Sequence, residues 1–217
     1  MYKCIIFDLD GTIAYTLEDL MEAMNMMLSG FGWESVSLDG VLGAINHGTR
    51  NFVRGCMPSE HRDNDALIDK ATEVYFGYYK KTLLNTTKPY PDIIKALDYF
   101  KERGIKMAVF SNKHDDNTKV ICKTLFDGYF DIVMGGSNGR FEHKPSPEGA
   151  LYIAEQLGAE SGEVLFVGDS DVDMKTAINA KMHPIGVSWG YRPPSLLTQL
   201  GAEKIVTCYD DFVKLVE

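Results

Sequence analysis

Asp8 and Asp10 stand two residues apart in Phe7-Asp8-Leu9-Asp10-Gly11-Thr12, so strand geometry projects both carboxylates to the same side. Asp169 and Asp173, in the run Gly168-Asp169-Ser170-Asp171-Val172-Asp173, are four apart at an expected helix start and should share a face. Two unpaired carboxylates about 4 Å apart repel by roughly 4 kcal/mol at an intermediate effective dielectric, so such a cluster calls for a cation. Oxygen-only ligands favour Mg²⁺ over zinc. Magnesium keeps several waters and binds through one or two carboxylates plus a phosphate, which directs attention to phosphoryl chemistry. Ser111-Asn112-Lys113 would add a hydroxyl, and Lys144, held extended by Pro145, a positive charge.

These groups need elements that bring them together. Short apolar runs alternate with amphipathic stretches through most of the chain, the signature of an α/β fold with a parallel sheet. The expected strands are Tyr2–Phe7, Ile105–Phe110, Ile132–Met134, Val164–Val167, His183–Val187 and a weak one near Ile205. Helices are expected over Pro91–Arg103 and Pro147–Leu157, each with proline in its first turn and glycine just after its end, and over Asp115–Phe126. Ligands of open α/β sheets bind beyond the carboxyl ends of the strands. The first strand runs into Asp8 and Asp10, the second into Ser111-Asn112-Lys113 and the fourth into Asp169–Asp173, while Lys144 follows the third.

Between Thr16 and Thr87 the alternation stops and only helical periodicity remains. Thr16-Leu17-Glu18-Asp19 reads as a capping box, followed by an apolar stripe of Leu20, Met24, Met27 and Leu28. Leu67, Ala71, Val74 and Tyr78 suggest the stripe of a second long helix, and Met21, Met24, Met26 and Met27 read as adaptable packing. The domain reading is an α/β core of residues 1–15 and 88–217, with a helical cap of residues 16–87 inserted after the first strand.

Bulk composition narrows the partners. At 45% hydrophobic and 24% charged, the 217-residue chain has ordinary globular composition. A net charge of −9 argues against tracking nucleic-acid phosphates, yet permits a small phosphorylated substrate where a metal and local cations reverse the sign within one cleft. Cys4, Cys56, Cys122 and Cys208 have no metal-ligand spacing and read as buried or incidental thiols of a reducing compartment. With neither a signal-peptide layout nor a membrane-length apolar run, a cytoplasmic location is expected. Oligomeric state has no sequence signature here.

Each motif has a plainer alternative. Asp-x-Asp-Gly-Thr could be a turn, Ser111-Asn112 a loop, Asp169 a helix cap and Lys144 a solvated surface lysine. Their convergence at successive strand ends favours the functional reading over four coincidences.

In this order the motifs resemble those of the haloacid dehalogenase superfamily of phosphohydrolases. Phe7–Thr12, Ser111-Asn112-Lys113, His143-Lys144-Pro145-Ser146-Pro147 and Gly168–Asp173 match its four motifs, and the helical insert looks like its small α-helical cap. Lys88-Pro89-Tyr90-Pro91 and Ser188-Trp189-Gly190-Tyr191-Arg192 are similar to the phosphoglycolate phosphatase branch. The resemblance implies a Rossmann-like core with Asp8 as nucleophile and Asp10 as general acid and base. It implies Mg²⁺ on Asp8, the Asp10 carbonyl and Asp169, with Asp173 supporting that sphere. Ser111, Asn112 and Thr12 would bind phosphate and Lys144 would supply the counter-charge. Asp10 distinguishes the chain from dehalogenases, which lack that aspartate. Gly168 distinguishes it from the β-phosphoglucomutase branch, which usually carries glutamate there. Tyr15, where close phosphatase relatives usually have aspartate, and the loop Gly43–Arg50 depart from the pattern. His47 and Arg50 of that loop are candidate substrate contacts, against the alternative of ordinary surface side chains. The expected partner is a small phosphorylated metabolite, with no nucleic acid and no membrane. Rival readings are a sugar-phosphate mutase or pyrophosphatase on the same core, or a phospho-acceptor module without turnover.

Overall fold

The computed structural model describes residues 2–45, 48–136 and 139–217. The chain divides into two compact units, Met1–Tyr15 with Pro89–Glu217, and Thr16–Lys88.

The first unit is built on a six-stranded parallel sheet. Its strands are β1 (Cys4–Phe7), β4 (Lys106–His114), β5 (Ile132–Gly136), β6 (Val164–Gly168), β7 (His183–Val187) and β8 (Lys204–Val206). Two short strands, β2 (Ala14–Tyr15) and β3 (Lys88–Pro89), form a separate ladder. The large sheet runs β5-β4-β1-β6-β7-β8, so the order reverses beside β1, with Cys4 paired to Lys106 on one side and to Val164 on the other. Such a reversal opens a crevice at the strands' carboxyl ends.

The central strands are continuous apolar runs because helices cover both faces. On one face Ile6, Phe110 and Phe166 pack with Ala150, Ile153 and Ala177 of helices α7 (Glu148–Gln156) and α8 (Asp171–Asn179). On the other, Phe7 meets Phe100 of α5 (Ile93–Glu102) at 6.4 Å between ring centroids, and Phe100 meets Phe212 of α10 (Tyr209–Val216) at 5.9 Å. Each fully buried side chain of this size contributes roughly 1.5–3 kcal/mol.

Three boundaries differ from the sequence reading. Proline precedes rather than opens two helices: Asp92, at φ 63°, separates Pro91 from α5, and Pro147 is the N-cap of α7. The glycines behave as expected, with Gly104 at φ 69° and Gly158 at φ 70° ending those helices. The larger difference is β4, which continues through Ser111, Asn112 and Lys113 to His114, with a register shift against β5 after Phe110. Gly135 permits this course, since a Cβ there would collide with the Asp115 backbone.

The second unit is helical, with α1 (Leu17–Gly30), α2 (Leu38–Ala44), α3 (Thr49–Cys56) and α4 (Asp65–Thr82). The expected stripe of Leu20, Met24, Met27 and Leu28 is buried on α1, whereas Met26 is exposed. On α4 the buried face is Ile68, Ala71, Tyr75 and Tyr79, turned about one position from the expected Leu67, Val74 and Tyr78. The Thr16 capping box is absent, because Thr16 makes no side-chain cap hydrogen bond. Asp19 is committed elsewhere. Its Oδ1 accepts from the Thr86 amide and hydroxyl at 2.8 and 2.6 Å, and its Oδ2 from those of Thr87 at 3.0 and 2.7 Å.

Cys4, Cys56 and Cys122 are buried, and burial pushes each thiol up to about 12, as suits packing rather than reactivity. Among the described residues, no helix is long and apolar enough to cross a membrane.

Candidate active site

The carboxyl ends of β1 and β6 bring together the acidic residues singled out in the sequence. Asp8 follows β1 directly, its amide donating to the Val167 carbonyl at 2.9 Å. Asp169 follows β6. Asp8, Asp169 and Asp173 each offer a carboxylate oxygen, all within 4.8 Å of one another, and all three residues are buried.

Asp169 and Asp173 do not converge as two residues on one helical face. Asp169 precedes the helix, Ser170 is the N-cap of α8, and Asp173 is the partner in a reciprocal capping box. Asp173 Oδ2 accepts from the Ser170 hydroxyl at 2.6 Å and amide at 3.0 Å, which turns Oδ1 toward the site. There the Lys144 ammonium donates to Asp173 Oδ1 at 2.6 Å and to Asp8 Oδ1 at 2.8 Å. The lysine reaches this point buried, its Nζ 5.8 and 5.7 Å from the ring centroids of Phe110 and Phe166.

Asn112 fixes the backbone that carries Lys144. Its Nδ2 donates to the Lys144 carbonyl at 2.9 Å, and its Oδ1 accepts from the Lys144 amide at 2.7 Å. The Asn112 side chain thus ties the end of β4 to the segment that carries Lys144. Ser111 is buried beside it, with Oγ accepting from the Lys113 amide at 3.3 Å.

Asp169 is held from several directions. Thr12 Oγ1 donates to its Oδ1 at 3.1 Å and the Tyr191 amide to its Oδ2 at 2.7 Å. Gly11, at φ 83°, and Gly190 press against it so closely that a Cβ at either would collide with the carboxylate side chain. Thr12 is fully buried, and its carbonyl accepts from Trp189 Nε1 at 3.0 Å. Its hydroxyl is thus engaged with Asp169 in this structure.

The electrostatics follow from burial. Loss of solvent pushes the Asp8 carboxyl up to about 7; the Lys144 ammonium pulls it back, and the negative Asp173 and Asp10 add to the rise. Asp169 is raised well above the carboxylate range by burial and by Asp173 and Asp8, against the opposing Tyr191 amide and Thr12 hydroxyl. Burial alone would lower Lys144, but Asp173 and Asp8 outweigh it and hold the ammonium above its ordinary range. Three carboxylates thus face one ammonium, an excess of negative charge on hard oxygen donors. That donor set fits a divalent cation such as Mg²⁺.

Asp10 stands apart from the cluster. Both its oxygens accept from Lys113 Nζ, at 2.9 and 3.0 Å. Lys113 was quoted in its motif but given no role by the sequence reading; the structure shows it buried near the end of β4. Tyr15 packs edge-to-face on Tyr90 at 6.0 Å, and Tyr90 lies 6.1 Å from Trp189, forming an aromatic group around the Thr12 segment.

The two cap-loop candidates lie in the helical unit. His47 is outside the described residues. Arg50 is committed within its own unit, donating from Nε to Asp69 and from Nη2 to Asp65, both at 2.7 Å.

Residues 5–187 match the family model of the haloacid dehalogenase-like hydrolases. The chain belongs to that family. It is 34% identical to a phosphoglycolate phosphatase of Aquifex aeolicus over 190 residues, covering 87% of this chain and 86% of that one. A phosphoglycolate phosphatase of Psychrobacter arcticus is 31% identical over 224 residues, covering 99% and 94%. A solved structure from Lactobacillus delbrueckii subsp. bulgaricus superimposes with a TM-score of 0.91 at 27% identity, covering 99% of this chain and 98% of that one. These relatives place the chain in the phosphoglycolate phosphatase-like branch of the haloacid dehalogenase-like hydrolases.

Proposed function

We propose that this hydrolase is a Mg²⁺-dependent phosphatase that cleaves a small phosphate monoester through an aspartyl-phosphate on Asp8. The observation that carries the reading is the Lys144 ammonium bridging Asp8 and Asp173 beside Asp169. An anionic nucleophile in such surroundings suits attack on a centre that arrives with its own negative charge and a metal.

The Asp8 and Asp169 carboxylates and the Asp10 carbonyl would hold Mg²⁺, which neutralises charge on the nucleophile and the phosphoryl oxygens. An Asp8 oxygen attacks phosphorus while the bond from phosphorus to the leaving oxygen breaks, and Asp10 gives that oxygen its proton. Water then attacks the aspartyl-phosphate. Asp10 takes the water's proton, the bond between phosphorus and Asp8 breaks, and inorganic phosphate departs. Ser111 and backbone amides near Asn112 orient the phosphoryl oxygens, and Lys144 balances charge on both Asp8 and the phosphate. Thr12 and Asp173 act through the groups they hold.

Gly168 favours hydrolysis over the mutase alternative. A Cβ at that position would collide with Asp173, so a glutamate there is incompatible with the present capping box. Curated relatives named phosphoglycolate phosphatases at 34% and 31% identity make a short phosphorylated acid the first substrate to test. The helical insert is read as a substrate-selecting cap, on the strength of its insertion directly after the Asp8–Tyr15 segment. His47 and Arg50 stay its candidate contacts, Arg50 only if substrate displaces Asp65 or Asp69.

The test is a panel of phosphorylated metabolites, 2-phosphoglycolate among them, assayed with Mg²⁺ and after chelation. Asp8→Asn should abolish turnover in a folded chain. Mg²⁺-dependent hydrolysis that survives Asp8→Asn would sink the assignment.

A further inference from the structure

Resting on the reading of Asp10 as proton donor and acceptor, we propose that Lys113 is the positioning residue that holds Asp10 ready for that task. The two aspartates of the first motif are served by different lysines. Lys144 is shared between Asp8 and Asp173, whereas Lys113 Nζ straddles both oxygens of Asp10 at 2.9 and 3.0 Å. The pair is buried, with side chains 4% and 11% exposed.

Asp10 needs such a hold. It is buried two residues from Asp8, and two like charges held that close separate unless something restrains them. An ammonium donating to both oxygens fixes the carboxylate plane and offsets its charge. Each carboxylate oxygen has two lone pairs, so a single bond from Lys113 does not by itself exhaust either oxygen. As the acid, Asp10 carries a proton on one oxygen while the other stays on Lys113, and gives that proton to the departing alkoxide; the carboxylate so formed then receives one from water and returns to the acid.

The position of Lys113 is itself well defined. Its amide donates to Ser111 Oγ at 3.3 Å, and its carbonyl accepts from Thr118 Oγ1 at 3.3 Å. Both constraints belong to the extended, shifted end of β4 that Gly135 makes possible. The irregular end of one strand thus delivers a phosphate-facing segment and the anchor of the proton carrier together.

The inference separates substrates by leaving group. An alkyl phosphate releases an alkoxide that must be protonated as it leaves, whereas p-nitrophenyl phosphate releases a phenolate that need not be. The kcat/KM value reports the steps up to that departure, so the alkyl-to-aryl ratio of kcat/KM isolates the acid function of Asp10. With Mg²⁺ present, Lys113→Met should lower kcat/KM for 2-phosphoglycolate by about 10²-fold, the low end of what general acid catalysis supplies, and for the aryl ester by a factor several-fold smaller. Lys113→Arg keeps the charge but changes its reach, and should shift the ratio in the same direction by less. Should Lys113→Met not fold, the arginine variant carries the test alone. In an Asp10→Asn background, adding Lys113→Met should leave the ratio where Asp10→Asn put it.

Equal losses on both esters, or an unchanged ratio in every Lys113 variant, overturn the inference and leave the phosphatase reading standing. A further drop in the ratio within the Asp10→Asn background also overturns it, because Lys113 would then act other than through Asp10. A wild-type chain that hydrolyses neither ester defeats the phosphatase reading instead, and this inference with it.

Discussion

Asp8 and Asp19 are both buried carboxylates, one in each compact unit, and their surroundings could hardly differ more. Asp19 accepts four hydrogen bonds, two on each oxygen, from Thr86 and Thr87. Its charge is met by neutral donors from the segment that closes the helical unit, and it holds that segment in place. Asp8 has Lys144, which it shares with Asp173, and it lies in a cluster of three acids whose burial raises Asp8 and Asp169 alike. A carboxylate that is fully supplied with donors is a structural member. A cluster supplied with too little positive charge is a site prepared for a cation.

The comparison is sharpened most by exchanging activity for stability. Asp169→Asn should lower Mg²⁺-dependent turnover by about 10²-fold or more while leaving the metal-free chain at least as stable as wild type, since a buried charge is removed. Asp19→Ala should do the reverse. With four donors left unmet, it should cost about 3–5 kcal/mol by denaturant unfolding, with turnover per folded molecule retained. If Asp19→Ala left stability unchanged, or Asp169→Asn destabilised the metal-free chain, the distinction between the two carboxylates would collapse.

A pH series addresses the same point with a smaller effect. Because Asp8 is raised in the folded chain from 3.8 to about 7, its stabilising contribution is full below pH about 4 and is lost as pH climbs toward about 7. Asp8→Asn should remove that part of the pH dependence of the metal-free melting temperature. Saturating Mg²⁺ should restore stability at pH 7 and above, and its affinity should weaken as pH falls below about 7, where protons compete for Asp8. Parallel melting curves for wild type and Asp8→Asn across pH 4–8 would contradict the assignment of the raised group.

Asn112→Ala removes the clasp on the Lys144 backbone and should cost about 1–3 kcal/mol, with a fall in kcat/KM that added phosphate cannot restore. The smallest effect is expected at Arg50. Its pairs with Asp65 and Asp69 are exposed, so Arg50→Ala should leave the urea unfolding midpoint close to that of wild type. A selective loss of kcat/KM toward one ester in Arg50→Ala or His47→Ala would establish the loop as a substrate contact; unchanged values across the panel would remove both residues from the site.

Much of the core was legible because its signals are local. The strands are short apolar runs, and Asp8, Ser111, Lys144 and Asp169 each follow or end one. What escaped the sequence depends on partners far along the chain. Lys113 and Lys144 are both lysines in polar surroundings, and only the folded sheet assigns one to Asp10 and the other to Asp8 and Asp173. The end of β4 read as loop because Ser111, Asn112 and Lys113 are polar, whereas Gly135 on the neighbouring strand lets the ladder continue. The buried face of α4 was misplaced because tyrosine suits both faces of a helix: Tyr75 and Tyr79 are buried and Tyr78 is partly exposed. Thr16 and Asp19 carried a capping-box pattern, but four donors arriving from Thr86 and Thr87 outcompeted one local amide.

The sheet order also governs when the site comes into being. β1 pairs with two strands that both lie far along the chain from it, one beginning at Lys106 and the other at Val164. Asp8 and Lys144 are 136 residues apart, and Asp169 lies further still, so the loop closures that unite them are long. A chain cut before β6 keeps Asp8 and Lys144 but lacks Asp169 and Asp173, the other two members of the acidic cluster. The acidic cluster thus forms only when β6 and the start of α8 have joined β1.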